Sequence, residues 1–139
     1  MIIFLPAYSK ILFDVRIQTK SFLPAACAFI IATFLFCLPG DRLSEAGWLE
    51  ELELDKVVHI GLFAGLVFLW GLPFQLLIEN ADRRNLIYGL ITFGFIIYGV
   101  AIEFIQRDFI PFRSFDLYDI VADTVGCAIG WITIRKWPL

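Results

Sequence analysis

Three groups of residues in this chain combine chemically able side chains with a spacing that can gather them. They are Asp55, Lys56 and His59; Glu103 and Gln106; and Arg113, Asp116, Asp119 and Asp123. His59, Glu103 and Asp119 are the candidates for acid/base work, with His59 or Glu103 as the general base. Lys56 and Arg113 suit an anion, and the planar fork of Arg113 matches a phosphate through two parallel hydrogen bonds. Asp55, Gln106, Asp116 and Asp123 complete the set as ligand-binding or orienting groups. Plainer uses stand beside these. His59 with Asp55 can be a structural hydrogen bond, and Arg113 with Asp116 or Asp119 can be an ion-pair lock for a loop. A single histidine without a second nitrogen or a thiolate predicts no metal site, and no motif asks for a cofactor.

Helical spacing aligns the groups. Asp55 and His59 are four apart and share a face. Glu103 and Gln106 are three apart, with Gly99 on the same face. Asp116, Asp119 and Asp123 follow at three and four, and the stripe continues through Gly126 and Gly130. That G-x-x-x-G spacing lets a neighbouring backbone approach closely. Three helices thus present polar faces at one depth. We expect them to turn inward to one pocket, with His59, Glu103 and Asp119 within hydrogen-bond or one-water reach.

The elements that must hold these residues are four apolar stretches, 22–38, 57–78, 86–105 and 117–134. Each is near the ~20 residues that span ~30 Å of hydrocarbon. No alternating strand pattern appears, and helices satisfy their own backbone in lipid. Of 139 residues, 60% are hydrophobic and 18% charged, and the mean hydropathy is +0.81, which argues against a water-soluble domain. The expected fold is an all-α membrane protein, a four-transmembrane-helix bundle. Residues 1–21 read as an N-terminal interfacial segment and 22–134 as the membrane domain, with no appended soluble domain. Pro24 interrupts the first stretch and Pro73 lies near the end of the second. Cys27, Cys37 and Cys127 read as small buried hydrophobes rather than a disulfide framework or zinc site. Phe109, Phe112 and Phe115 suit an interfacial anchor, and Trp131 and Trp137 an aromatic belt.

Charge asymmetry orients the bundle. Lys10, Arg16 and Lys20 precede the first span, Arg83 and Arg84 lie between the second and third, and Arg135 and Lys136 follow the fourth. The positive-inside rule places both termini in the cytoplasm. The acidic loop from Asp41 to Lys56 is then outside, with Trp48, Leu49 and Leu52 suggesting a short amphipathic helix there. Arg107 and Arg113 are the exceptions to the rule. The basic residues of the N-terminus follow its apolar start, the reverse of a cleaved signal peptide. A net charge of −3 and the lack of a basic run exclude nucleic acid as a partner. Charges buried in hydrocarbon cost at least ~2.5 kcal/mol each, so the polar residues named above should face a cavity or a partner.

The strings Asp55-Lys56-Val57-Val58-His59, Glu103-Phe104-Ile105-Gln106 and Arg113-Ser114-Phe115-Asp116-Leu117-Tyr118-Asp119, with Gly126 and Gly130 following, resemble the VanZ-like family. That family is named for a teicoplanin-resistance membrane protein, and its pattern is D-K-x-x-H, E-x-x-Q and R-x-x-D-x-x-D in this order. The resemblance covers 55–130. It implies a bacterial inner (cytoplasmic) membrane location and a link to glycopeptide-antibiotic resistance, and no settled activity. Asp123 stands where the family usually has Asn, and Phe63 where a Tyr often follows the His by four.

Three functions fit the sequence. The first is an envelope protein with an outward-facing pocket that binds or acts on a lipid-linked or phosphorylated headgroup, such as an envelope precursor. The second is a non-catalytic structural or assembly subunit of a larger membrane complex. The third, a proton-coupled carrier, is weakened by the absence of polar residues through the inner half of the spans.

Overall fold

The computed structural model describes residues 19–39 and 54–138. Among them there are four long helices and no strand: α1 Leu23–Phe36, α2 Leu54–Leu77, α3 Ala81–Phe109 and α4 Leu117–Lys136. All four are long and apolar enough to cross a membrane, α1 when its preceding turn from Thr19 is included. Of the interfacial segment read over 1–21, residues 1–18 lie outside the described residues and 19–21 form the turn that leads into α1; the amphipathic helix around Trp48, Leu49 and Leu52 also lies outside the described residues.

Helix boundaries follow local chemistry. Pro24 falls in the first turn of α1, where a missing N–H breaks no intrahelical bond, so it starts the helix rather than interrupting a span. Pro73 lies inside α2, near its end. α3 begins on Asn80, whose side chain accepts from the Arg83 backbone N at 2.9 Å. This cap, with Asp82 in the first turn, carries the helix upstream of its apolar stretch, to a length of 29 residues. α4 is capped by Asp116, whose Oδ1 accepts from the Tyr118 N at 2.8 Å, and it ends with Arg135 and Lys136 in the last turn. Gln75 of α2 donates to the carbonyls of Ile134 and Trp137, both at 3.2 Å, and so covers the open end of α4.

α4 packs chiefly on α2 and then on α3, while α1 lies against α2. Gly126 and Gly130 set the closest approach. A Cβ at Gly126 would lie 2.5 Å from the Ile60 carbonyl oxygen, and one at Gly130 2.6 Å from that of Ala64. Only glycine allows α4 to seat on the α2 backbone, as the G-x-x-x-G spacing led us to expect. Phe36, Phe63, Leu66, Val67, Phe95, Ile102 and Cys127 form the apolar core. Of the three thiols only Cys127 is buried; Cys27 is exposed and Cys37 half-buried, because α1 buries only one narrow stripe.

The surface is apolar and the centre is partly polar. Ile30, Phe34, Leu76, Leu86 and Phe93 are exposed, whereas His59, Glu103, Gln106, Asp119 and Asp123 are buried. A water-soluble domain distributes these residue types the other way round.

Candidate functional site

Because successive helices reverse direction, the starts of α2 and α4 meet the ends of α1 and α3 at one end of the bundle. The sequence candidates collect there. His59 Nδ1 lies 2.8 Å from Asp123 Oδ1, with both residues 1% exposed. The other ring nitrogen, Nε2, faces Asp55 Oδ1 at 3.9 Å, beyond hydrogen-bond reach. The Phe36 ring covers the imidazole with centroids 4.7 Å apart. Gly99 of α3 makes room for the carboxylate, since a Cβ there would sit 2.6 Å from Asp123 Oδ2.

The two polar residues of α3 serve helix termini. Glu103 Oε2 accepts from the Asp116 backbone N at 2.9 Å, at the start of α4. Gln106 Nε2 donates to the Phe36 carbonyl at 2.9 Å, at the end of α1. Both are groups a helix cannot satisfy internally, so α3 fastens its neighbours in place. Gly99, Glu103 and Gln106 do share the buried face their spacing predicted.

Cations line the rim. Lys56 Nζ lies 3.5 Å from Asp116 Oδ2 and 3.9 Å from Asp119 Oδ1, with the Tyr118 ring centroid 6.0 Å away. Arg113 Nη1 lies 3.8 Å from Asp55 Oδ2. The expected lock from Arg113 to Asp116 or Asp119 is therefore corrected: Lys56 takes those two carboxylates and Arg113 reaches across to α2. Phe112, exposed and at φ 60°, makes the turn after Pro111 that sends Arg113 inward. That left-handed backbone is uncommon for a bulky side chain. Arg107 does not join the cluster. It pairs with its neighbour Asp108 at 2.6 and 3.0 Å and stacks on Phe104, 4.9 Å from the ring centroid.

The expected open pocket is instead a packed cluster with an exposed rim. His59, Glu103, Gln106, Asp119 and Asp123 form the floor, and Asp55, Lys56 and Asp116 the partly exposed edge. Several buried atoms there have no hydrogen-bond partner among the described residues: Glu103 Oε1, Asp119 Oδ1, Asp123 Oδ2 and Arg113 Nε. One ligand atom each from Asp55, His59 and Asp119 lie within 4.8 Å of one another, although the sequence predicted no metal site. Phe36 is the contributor that spacing did not indicate, because it carries no polar group and acts through its ring and carbonyl. Phe63 is fully buried between Phe36 and Tyr98, with ring centroids at 5.7 and 5.8 Å.

The chain is 36% identical over 76 residues to the uncharacterized protein C11E3.10 of Schizosaccharomyces pombe. The matched part is 55% of this chain and 43% of the yeast protein, so the chain spans less than half of that relative's length. No family model matches the chain. No solved structure matches it significantly.

Proposed function

We propose that the chain is an integral membrane protein that binds, or acts on, a lipid-linked or phosphorylated headgroup at the polar end of its bundle. One observation carries this reading: Arg113 sits half-buried at the rim, its Nε has no hydrogen-bond partner among the described residues, and its Nη1 stands as far as 3.8 Å from the Asp55 carboxylate. A guanidinium with an unused donor, on the same rim as Lys56, supports capture of a phosphoryl group. The apolar exterior supports lipid as the surrounding medium. Arg83, Arg84, Arg135 and Lys136 at the opposite end support cytoplasmic termini and an outward polar end. The motif resemblance supports a VanZ-like role in the cell envelope with a link to glycopeptide resistance. The similarity to a fission yeast protein does not confine this reading to a bacterial inner membrane.

A specific observation favours the second reading, a non-catalytic structural or assembly subunit. Glu103 and Gln106 are engaged with helix ends, and His59 Nδ1 with Asp123, as parts of a network that fastens the bundle. Any reaction would have to use the atoms left over, His59 Nε2, Glu103 Oε1 and Asp119 Oδ1 among them.

Mass spectrometry of lipids retained by the full chain after purification in mild detergent tests the proposal. A phosphorylated lipid should be retained by the unaltered protein and lost from a folded Arg113→Lys variant. Absence of any retained phosphorylated lipid would leave the assembly reading in its place.

A further inference from the structure

Among the described residues the cluster is short of positive charge. Five carboxyl groups, on Asp55, Glu103, Asp116, Asp119 and Asp123, gather at this end with Lys56 and Arg113 as fixed cations. Helix α3 adds only Arg107 and Asp108, which cancel one another. With a neutral imidazole, three negative charges have no counterpart among the described residues. Buried carboxylates of that number need a compensating cation or a proton.

The imidazole is arranged as a metal ligand is. Asp123 Oδ1 holds His59 Nδ1 at 2.8 Å, which leaves the lone pair on Nε2. A carboxylate behind a histidine is the usual way to fix that tautomer and raise the basicity of the coordinating nitrogen. On the Nε2 side, Asp55 Oδ1 stands 3.9 Å away. This is too long for a hydrogen bond, yet within the roughly 4.2 Å that an ion between a nitrogen and an oxygen ligand can bridge. Asp119 supplies the third ligand. It is 5% exposed, its Oδ1 has no hydrogen-bond donor among the described residues, and its ligand atom lies within 4.8 Å of those of His59 and Asp55. Lys56 Nζ stands 3.9 Å from that oxygen and closer to Asp116, on the rim.

We infer that Asp55, His59 Nε2 and Asp119 form a binding site for a divalent cation, with one side open past the half-exposed Asp55. One nitrogen and two carboxylate oxygens, with no thiolate, suit a zinc- or manganese-like ion rather than a soft one. Asp55 turns Oδ1 to the imidazole and Oδ2 to Arg113, so a phosphoryl oxygen entering at the open side would meet the ion and the guanidinium together. This last role rests on the headgroup reading; the ion site itself does not.

The test uses the full chain without an affinity tag, in detergent, stripped with a chelator and dialysed against Zn²⁺ or Mn²⁺ alone. We expect one ion per chain, bound saturably. Asp119→Asn and Asp55→Asn should each weaken binding at least about tenfold, and Asp123→Asn, one step removed, by about tenfold. Arg113→Lys should bind the ion as the unaltered chain does. No saturable binding of either ion, or binding indifferent to both Asp55→Asn and Asp119→Asn, overturns the site. Ion binding without retention of phosphorylated lipid defeats the headgroup reading alone, and lipid retention without ion binding defeats the cation site alone.

Discussion

His59 Nδ1 and Asp123 Oδ1, 2.8 Å apart and sealed from solvent on both sides, join α2 to α4 one turn above the glycine contact. Asp123, Gly126 and Gly130 descend α4 as His59, Ile60 and Ala64 descend α2, so the polar pair and the close backbone approach specify one register. The carboxylate of Asp123 therefore has a defined partner.

Replacement of Asp123 separates shape from charge. Asp123→Ala strips the imidazole of its buried partner and should cost about 3 kcal/mol. Asp123→Asn keeps an oxygen that accepts from Nδ1–H and should cost less than about 1.5 kcal/mol. Thermal unfolding in detergent ranks the two. An Asn variant as damaged as the Ala variant would show that the negative charge itself is indispensable to the fold.

Glycine substitutions probe the packing below the pair. Gly126→Ala drives a methyl group to 2.5 Å from the Ile60 carbonyl oxygen, where rigid backbone has to move. Its destabilisation should fall at the high end of the roughly 1–3 kcal/mol typical of overpacking. Gly61→Ala meets nothing within 4 Å and serves as the comparison, with unchanged or improved melting. Equal melting temperatures for the two variants would contradict the close approach.

The turn before Arg113 carries backbone strain at Phe112, φ 60°. Left-handed backbone costs an L side chain roughly 1–2 kcal/mol, and glycine escapes that cost. Phe112→Gly should melt at or above the unaltered protein, and Phe112→Val clearly below it, because branching at Cβ worsens the clash. A Val variant more stable than the Gly variant argues against this conformation.

Orientation is open to labelling. In a chain whose native Cys27, Cys37 and Cys127 are replaced by Ala, a cysteine at Asp108 should react with an impermeant thiol reagent on intact cells. One at Arg84 should react only after permeabilisation. Reaction at Arg84 alone reverses the bundle and faces the polar end to the cytoplasm.

Periodicity made much of this legible. The face shared by Gly99, Glu103 and Gln106, and the stripe from Asp119 through Gly130, are buried as spacing predicted, because spacing fixes which residues of a helix look the same way. Partner choice between helices depends on axial offset and rotation, which no single stretch encodes. Hence Lys56, not Arg113, meets Asp116 and Asp119, and Asp123 rather than Asp55 is the close partner of His59. The length of α3 escaped an apolarity criterion because Asn80 and Asp82 start the helix among polar residues. Phe36 escaped every chemical criterion, since its carbonyl and ring contribute what its identity does not advertise.

The pairing of His59 with Asp123 also has a chronology. The partners stand 64 positions apart, so in synthesis from the N-terminus the imidazole exists before its carboxylate. At ~5–20 residues per second the interval is roughly 3 to 13 s. By its end α2 and α3 have been made, while the face of α2 that will receive Gly126 and Gly130 still stands bare. A chain stopped before α4 keeps that face and an unmatched imidazole on display. Unfinished copies thus differ chemically from finished ones at the spot where the finished protein is most tightly closed.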